Sequence, residues 1–163
     1  YLFEDKGILI EEAVMGVMLF NGTMCIGRLL GNRLGKHLTS KQVVVGGYLL
    51  GSIAMGLIVF LPGHASMYTY LLLGISLAMI VPNLFSAMGE QNVIPMTQAV
   101  ATSTMLGYMG ILMGPALIGF IAHGTSLTVA FIVLTTLLVV SAGIGKYAYH
   151  LMSKDCGLSE EQI

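Results

Sequence analysis

Leu127–Tyr147 reads LTVAFIVLTTLLVVSAGIGKY, a stretch whose only charged residue is Lys146, near its end. Crossing the roughly 30 Å hydrocarbon core of a bilayer takes about 20 mostly apolar residues in a helix. This run meets that length without help from its neighbours. Working outward, four more runs of the same kind precede it, at about Ala13–Leu30, Val43–Leu61, Met67–Met88 and Ala99–Ala122. The connections are short (Gly31–Gln42, Pro62–Ser66, Gly89–Gln98 and His123–Ser126), so successive helices must alternate in direction. The pattern predicts an all-α membrane protein with five transmembrane helices in one domain spanning 1–163, ending in a polar tail over 148–163.

Composition agrees. Apolar residues make up 56% of the chain and charged residues 9%, against about 25% charged in an ordinary soluble domain. A mean hydropathy of +0.87 assigns most of the exterior to lipid. The net charge of −1 offers no basic field for nucleic acid. Cys25 falls in an apolar run and Cys156 in the tail, a spacing that suits neither a disulfide framework nor a metal site. His37, His64, His123 and His150 sit in separate connections and read as solvated, so neither a metal nor a cofactor is expected.

Basic residues set the orientation. Arg28, Arg33, Lys36 and Lys41 cluster at the first connection, and Lys146 and Lys154 lie in the C-terminal segment. The opposite side has only Lys6, beside Glu4, Asp5, Glu11 and Glu12. Lys and Arg are retained on the cytoplasmic side of short loops, which predicts an external N-terminal segment and a cytoplasmic C-terminus. The chain opens on Tyr1, its first methionine is Met15 inside an apolar run, and no signal-peptide pattern is seen, so it reads as a fragment of a longer protein.

Glycine recurs at four-residue spacing in Gly27/Gly31/Gly35, Gly47/Gly51 and Gly110/Gly114, the pattern that lets helix backbones approach. On the fourth span Ser103, Gly107, Gly110 and Gly114 fall on one smooth face. Such faces serve static packing, and they also suit helices that slide or rock during transport.

Gly107-Tyr108-Met109-Gly110-Ile111-Leu112-Met113-Gly114-Pro115-Ala116-Leu117-Ile118-Gly119 resembles the eleventh helix of major facilitator superfamily (MFS) transporters, where G-Y-x-x-x-x-x-G-P-x-x-x-G is common. It looks most like the bacterial branch of fucose-permease-type sugar permeases. Gly27-Arg28-Leu29-Leu30-Gly31-Asn32-Arg33-Leu34 and the basic loop after it look like the end of helix eight and the eight–nine loop of that branch. Tyr1-Leu2 resembles the outer end of helix seven, and Pro82 fits the proline of helix ten. The resemblance implies that the five spans are helices 8–12 of the 12-helix fold, with the N-terminal half missing. It also implies a multi-pass protein of the bacterial inner membrane. One departure stands out: Lys36 replaces the loop motif's aspartate and Thr39 its second glycine, so this half lacks the latch that the family's aspartate is thought to provide.

No acidic residue lies deep in a span, so a proton-coupling carboxylate is expected elsewhere in the protein. Asn21, Cys25, Arg28 and Asn32 form a polar stripe on the first span. Asn21 is a candidate for holding a hydroxylated solute, with an interhelical hydrogen bond as the structural alternative. Arg28 and Arg33 read as gate or interface residues, and Gly107, Gly110, Gly114 and Pro115 as gating or packing positions. Tyr108, near mid-span, can stack on a sugar ring or simply pack. Pro82 is expected to free the carbonyl of Met79, creating a break beside Asn83 that serves a gate or a plain kink. Ser76 is a candidate contact that more commonly bonds back to its own helix. The 12 methionines read as lipid-facing or adaptable packing.

The expected partners are the lipid bilayer, the missing half and a small-molecule solute. Low aromatic content, 8% with no tryptophan, leans toward a small polar solute over a drug. The competing reading is a non-transport five-helix subunit with a structural or assembly role. An enzyme is disfavoured: Gly74-Ile75-Ser76-Leu77-Ala78 lacks the second glycine of a nucleophile turn, and no paired acids or zinc motif appear.

Overall fold

The computed structural model describes residues 10–34, 39–61, 63–90 and 94–156. All elements among them are helical: α1 (Ile10–Leu34), α2 (Ser40–Phe60), α3 (Gly63–Ala78), α4 (Ile80–Glu90), α5 (Met96–Gly124) and α6 (Leu127–Cys156). These make five passes, because α3 and α4 are two halves of one broken span covering Tyr68–Gly89. Among the described residues, four passes are long and apolar enough to cross a membrane, and α1 contributes the apolar stretch Val14–Leu29.

Helix ends are marked by local chemistry. Before α2, the amide oxygen of Gln42 accepts from the backbone N–H of Thr39 at 3.4 Å, one arm of a capping box. Before α6, the Ser126 hydroxyl accepts from the N–H of Val129 at 3.2 Å, satisfying a donor that the first helical turn leaves open.

The helix break corrects one expectation. Proline lacks an N–H, so Pro82 deprives the carbonyl four residues earlier, that of Ala78, and not that of Met79. The Met79 carbonyl is doubly used: it accepts from the backbone N–H of Asn83 at 3.2 Å and from the Asn83 side-chain amide at 2.8 Å. The chain turns at Met79, and α4 resumes at Ile80.

α2 is the hub, packing against α3, α4 and α6, while α1 packs on α3. Two apolar clusters hold these helices together. Ala54, Met55, Ile58 and Leu73 are buried together, flanked by Phe20 from α1 and by Phe131, Leu134 and Leu138 from α6. Toward the lysine-bearing end, Val44, Ile80, Ala87 and Tyr149 form the second cluster.

Glycine sets how closely the helices approach. A Cβ on Gly47 would lie 2.7 Å from the Ser76 carbonyl oxygen, and one on Gly51 would lie 3.1 Å from Leu77 Cδ2. Between α1 and α3 the contact is tighter. A Cβ on Gly27 would lie 2.6 Å from the Ala78 Cβ, and one on Gly74 would meet the Thr23 hydroxyl and sit 2.6 Å from the Phe20 carbonyl oxygen. Thr23 faces Gly74 and Gly27 faces Ala78, so position rises along both chains together and the two helices run parallel. Each contributes two small residues four apart, the interlock that packs membrane helices without a hydrophobic driving force. The packing of Gly31, and Gly35 itself, lie outside the described residues.

Candidate functional site

Because α1 turns Thr23 and Gly27 toward α3, its opposite side carries the polar stripe. Asn21, Cys25 and Arg28 are exposed there, while the side chains of Asn32 and Arg33 lie outside the described residues. The Asn21 amide donates to the Val17 carbonyl at 2.8 Å, one turn back in its own helix. That bond fixes the amide nitrogen and orients the carboxamide along the helix surface.

The fourth pass presents a different surface. Ala99 is the only buried residue of α5. A Cβ on Gly107, Gly110 or Gly114 would meet nothing within 4 Å, so no helix of the described chain lies against that smooth face. Pro115 sits within the helix without ending it, and its side is likewise exposed. Where α5 departs from α4 it leaves a groove of about 420 Å³, lined by Val81, Phe85, Ser103, Gly107 and Tyr108 among others. Its walls are largely apolar, with the Ser103 and Thr104 hydroxyls and the Tyr108 phenol as the polar groups. Tyr108 is 65% exposed, with its ring edging the groove and its remaining surface open. A second groove of about 470 Å³ continues toward the lysine-bearing end, sharing Leu84, Met88 and Ser103 with the first and adding Gln98 and Thr102.

The predicted site residues therefore separate. Tyr108 and Gly107 meet at the α4–α5 groove. Asn21 and Arg28 lie on α1, whose packing partner is α3 rather than α5. Asn83 is half-buried beside the helix break, its amide committed to Met79. Ser76 is buried where α2 meets α3, donating to the Leu73 carbonyl at 2.8 Å and lying close to Gly51. That position is the back-bonded, helix-packing one. The pairing of Thr23 and Gly27 with Gly74 and Ala78 escaped a reading that looked only for glycine pairs. Counting alanine and threonine as small residues finds both members in the sequence.

Apolar helices of spanning length, a lipid-compatible exterior and a polar stripe left exposed on one helix define a multi-pass membrane protein. Two of the relatives it matches are named transporters and a third a membrane protein. Over 145 residues, 87% of its length, the chain is 41% identical to an uncharacterized MFS-type transporter of Yersinia pestis, of which the match covers 37%. It is 27% identical over 147 residues to the membrane protein MosC of Rhizobium meliloti, covering 88% of this chain and 36% of that protein. It is 25% identical over 137 residues to an uncharacterized transporter of Sinorhizobium fredii, covering 82% and 36% respectively. The chain thus spans little more than a third of the length of the curated relatives it matches. No protein-family model matches the chain.

Proposed function

We propose that this chain is helices 8–12 of an MFS secondary transporter, and that in the whole protein it forms one wall of an alternating-access path for a small polar solute. The observation that carries this reading is the similarity, at 41% identity over 87% of the chain, to a protein named an MFS-type transporter. Geometry supports it. A polar stripe in a membrane span is stable only against a cavity or a protein partner, and the stripe of α1 points away from α3. The smooth, open face of α5 suits a surface that a moving neighbour slides across.

In this reading Asn21 contacts the solute, leaving its amide oxygen to accept from a solute hydroxyl while its nitrogen is held by Val17. Tyr108 adds a ring face and one hydroxyl. The resemblance to sugar permeases and the low aromatic content favour a sugar-like solute. The excess of basic residues at one end favours a cytoplasmic C-terminus in a bacterial inner membrane.

Asn21→Ala in the whole protein tests the binding role. Loss of one hydrogen bond to a solute raises the apparent KM by about 3- to 10-fold. Protein yield and unfolding temperature stay unchanged, because Asn21 is exposed and bonds within its own helix. An unchanged KM removes Asn21 from the solute site.

A further inference from the structure

Arg28 stands one residue before the end of the apolar stretch Val14–Leu29, a place that by itself would put it near the membrane surface. Contacts between helices put it deeper. The third span covers Tyr68–Gly89, so its middle falls near Ala78. A Cβ on Gly27 would lie 2.6 Å from the Ala78 Cβ, which sets Gly27 at that middle and Arg28 beside it. α2 gives the same depth independently. Its midpoint is Leu50, and a Cβ on the next residue, Gly51, would lie 3.3 Å from Ser76 Oγ. Gly74 faces Thr23 and Ala78 faces Gly27, so the level of Ser76 falls between Thr23 and Gly27 on α1. Both spans place the centre of the bilayer within one turn of Arg28.

A guanidinium at that depth does not reach the membrane boundary on its own. Half the hydrocarbon thickness is about 15 Å and one helical turn about 5.4 Å, so roughly 10 Å separate the Arg28 backbone from the nearer boundary. Side chains on a helix lean toward its N-terminus, which for α1 is away from the end that leads into α2. Snorkelling toward that end works against the helix geometry. Arginine stays protonated, so its charge needs a water-filled cavity, a counter-charge or both. Arg28 is exposed, on the side of α1 turned away from α3. Among the described residues the acids are Glu11, Glu12, Glu90 and Asp155, all within two residues of a helix end. None of these shares the depth of Arg28.

The stripe itself suggests what the counter-charge belongs to. Asn21, Cys25 and Arg28 recur at helical spacing on one exposed face, with Asn21 and Arg28 roughly 10 Å apart along the axis. They lie on either side of the bilayer centre, the depth at which secondary transporters hold their cargo. The Asn21 nitrogen is held by the Val17 carbonyl, leaving its oxygen to accept from a hydroxyl. The guanidinium is a planar fork of donors that matches a carboxylate with two parallel hydrogen bonds. A hydroxyl acceptor and an oxyanion clamp at this spacing suit a sugar-sized molecule with hydroxyls at one end and a carboxylate at the other.

We propose that Arg28 is the anion-binding group of the solute path and that the solute is a sugar acid. Its carboxylate pairs with the Arg28 guanidinium while one of its hydroxyls donates to the Asn21 amide oxygen. This inference rests on the reading of α1 as a solute-facing wall, and it adds a negative charge to the solute.

Two measurements on the full-length protein in mild detergent test it. The first needs no solute. Cys25 lies between Asn21 and Arg28, so its modification by anionic and cationic methanethiosulfonates, followed on its own peptide by mass spectrometry, reports water and charge in the stripe. Relative to free cysteine, Cys25 favours the anionic reagent by about tenfold, and Arg28→Gln removes that preference. The second is stabilisation against heat by D-gluconate, D-galactonate, D-glucuronate or D-galacturonate, with D-glucose and D-galactose as neutral counterparts. At least one acid stabilises the wild type and neither neutral sugar does. Arg28→Gln weakens the binding of that acid by about 10- to 100-fold. If Arg28→Gln does not fold, Arg28→Lys keeps the preference at Cys25 and weakens acid binding, because it keeps the charge and loses the fork. Failure of every acid to bind, or acid binding unchanged by substitution of Arg28, overturns the proposal. Neutral sugars that bind equally well to wild type and Arg28→Gln overturn the charge assignment while leaving α1 as the solute wall. A Cys25 that reacts with neither reagent overturns both readings, since the stripe is then sealed against protein or lipid. A Cys25 that reacts without charge preference also overturns the proposal, making Arg28 an ion-pair partner of the other half.

Discussion

Replacing Gly74 with valine separates α1 from the rest of the bundle and gives a protein with a much lower unfolding temperature and little monodisperse material. The reason is geometric. Even one methyl group at this position collides with the Thr23 hydroxyl and comes within 2.6 Å of the Phe20 carbonyl oxygen. A side chain can rotate out of the way, but a backbone carbonyl moves only with its helix. Thr23 has little freedom of its own, since its hydroxyl donates to the carbonyls of Leu19 at 2.7 Å and Phe20 at 3.1 Å. Overpacking a well-fitted interior costs about 1–3 kcal/mol, and more where backbone must shift. Here the penalty is concentrated on the element against which the described part of α1 is chiefly packed. Gly56 is the control: a Cβ there meets nothing, and Gly56→Ala is neutral or gains up to about 1 kcal/mol from helix propensity. Equal unfolding temperatures for Gly74→Val and Gly56→Ala would mean that α1 does not lie on α3 as described.

Liposomes containing only these 163 residues show no solute uptake above empty vesicles. Cargo sites in such transporters lie at the interface between repeats, near the middle of the membrane. The surfaces proposed to face solute, the stripe of α1 and the α4–α5 groove, are open in this chain and supply one side of such an interface. A one-sided surface neither encloses a solute nor alternates its access. The matched relatives are nearly three times as long as their aligned segments, which leaves room for the other side. Saturable, substrate-specific flux through the 163 residues alone would favour an autonomous five-helix protein.

Much of this architecture was legible in the sequence because bilayer thickness imposes a length on every apolar run. Leu127–Tyr147 and its four counterparts needed no tertiary information to be recognised. Short connections forced antiparallel neighbours, and the contacts of α2 with the broken α3–α4 span follow: Gly47 meets Ile80 and Gly51 meets Leu77, in opposing order. What stayed hidden is which small-residue face finds a partner. Gly47/Gly51 and Gly110/Gly114 have the same spacing, yet the first pair is pressed against α3 and the second opens on empty space. Spacing says that a helix can be approached, while the identity of the approaching helix depends on the assembly of the whole bundle. Pro82 announced a break, but the hydrogen-bond register placed the deprived carbonyl on Ala78, and the side chain of Asn83 capped its neighbour. The polar candidates separated for a similar reason. Asn21, Ser76 and Tyr108 all sit near mid-span, and depth alone does not distinguish a residue facing a cavity from one sealed between helices, where Ser76 lies.

The central claim, that these five helices are one side of a larger transporter, is tested most directly by the intact mass of the protein recovered from the membranes of its own cell. The account predicts a single polypeptide well over twice the 17.3 kDa of this chain, comparable with the matched relatives. A mass of about 17.3 kDa would contradict it and make the five helices a complete membrane subunit.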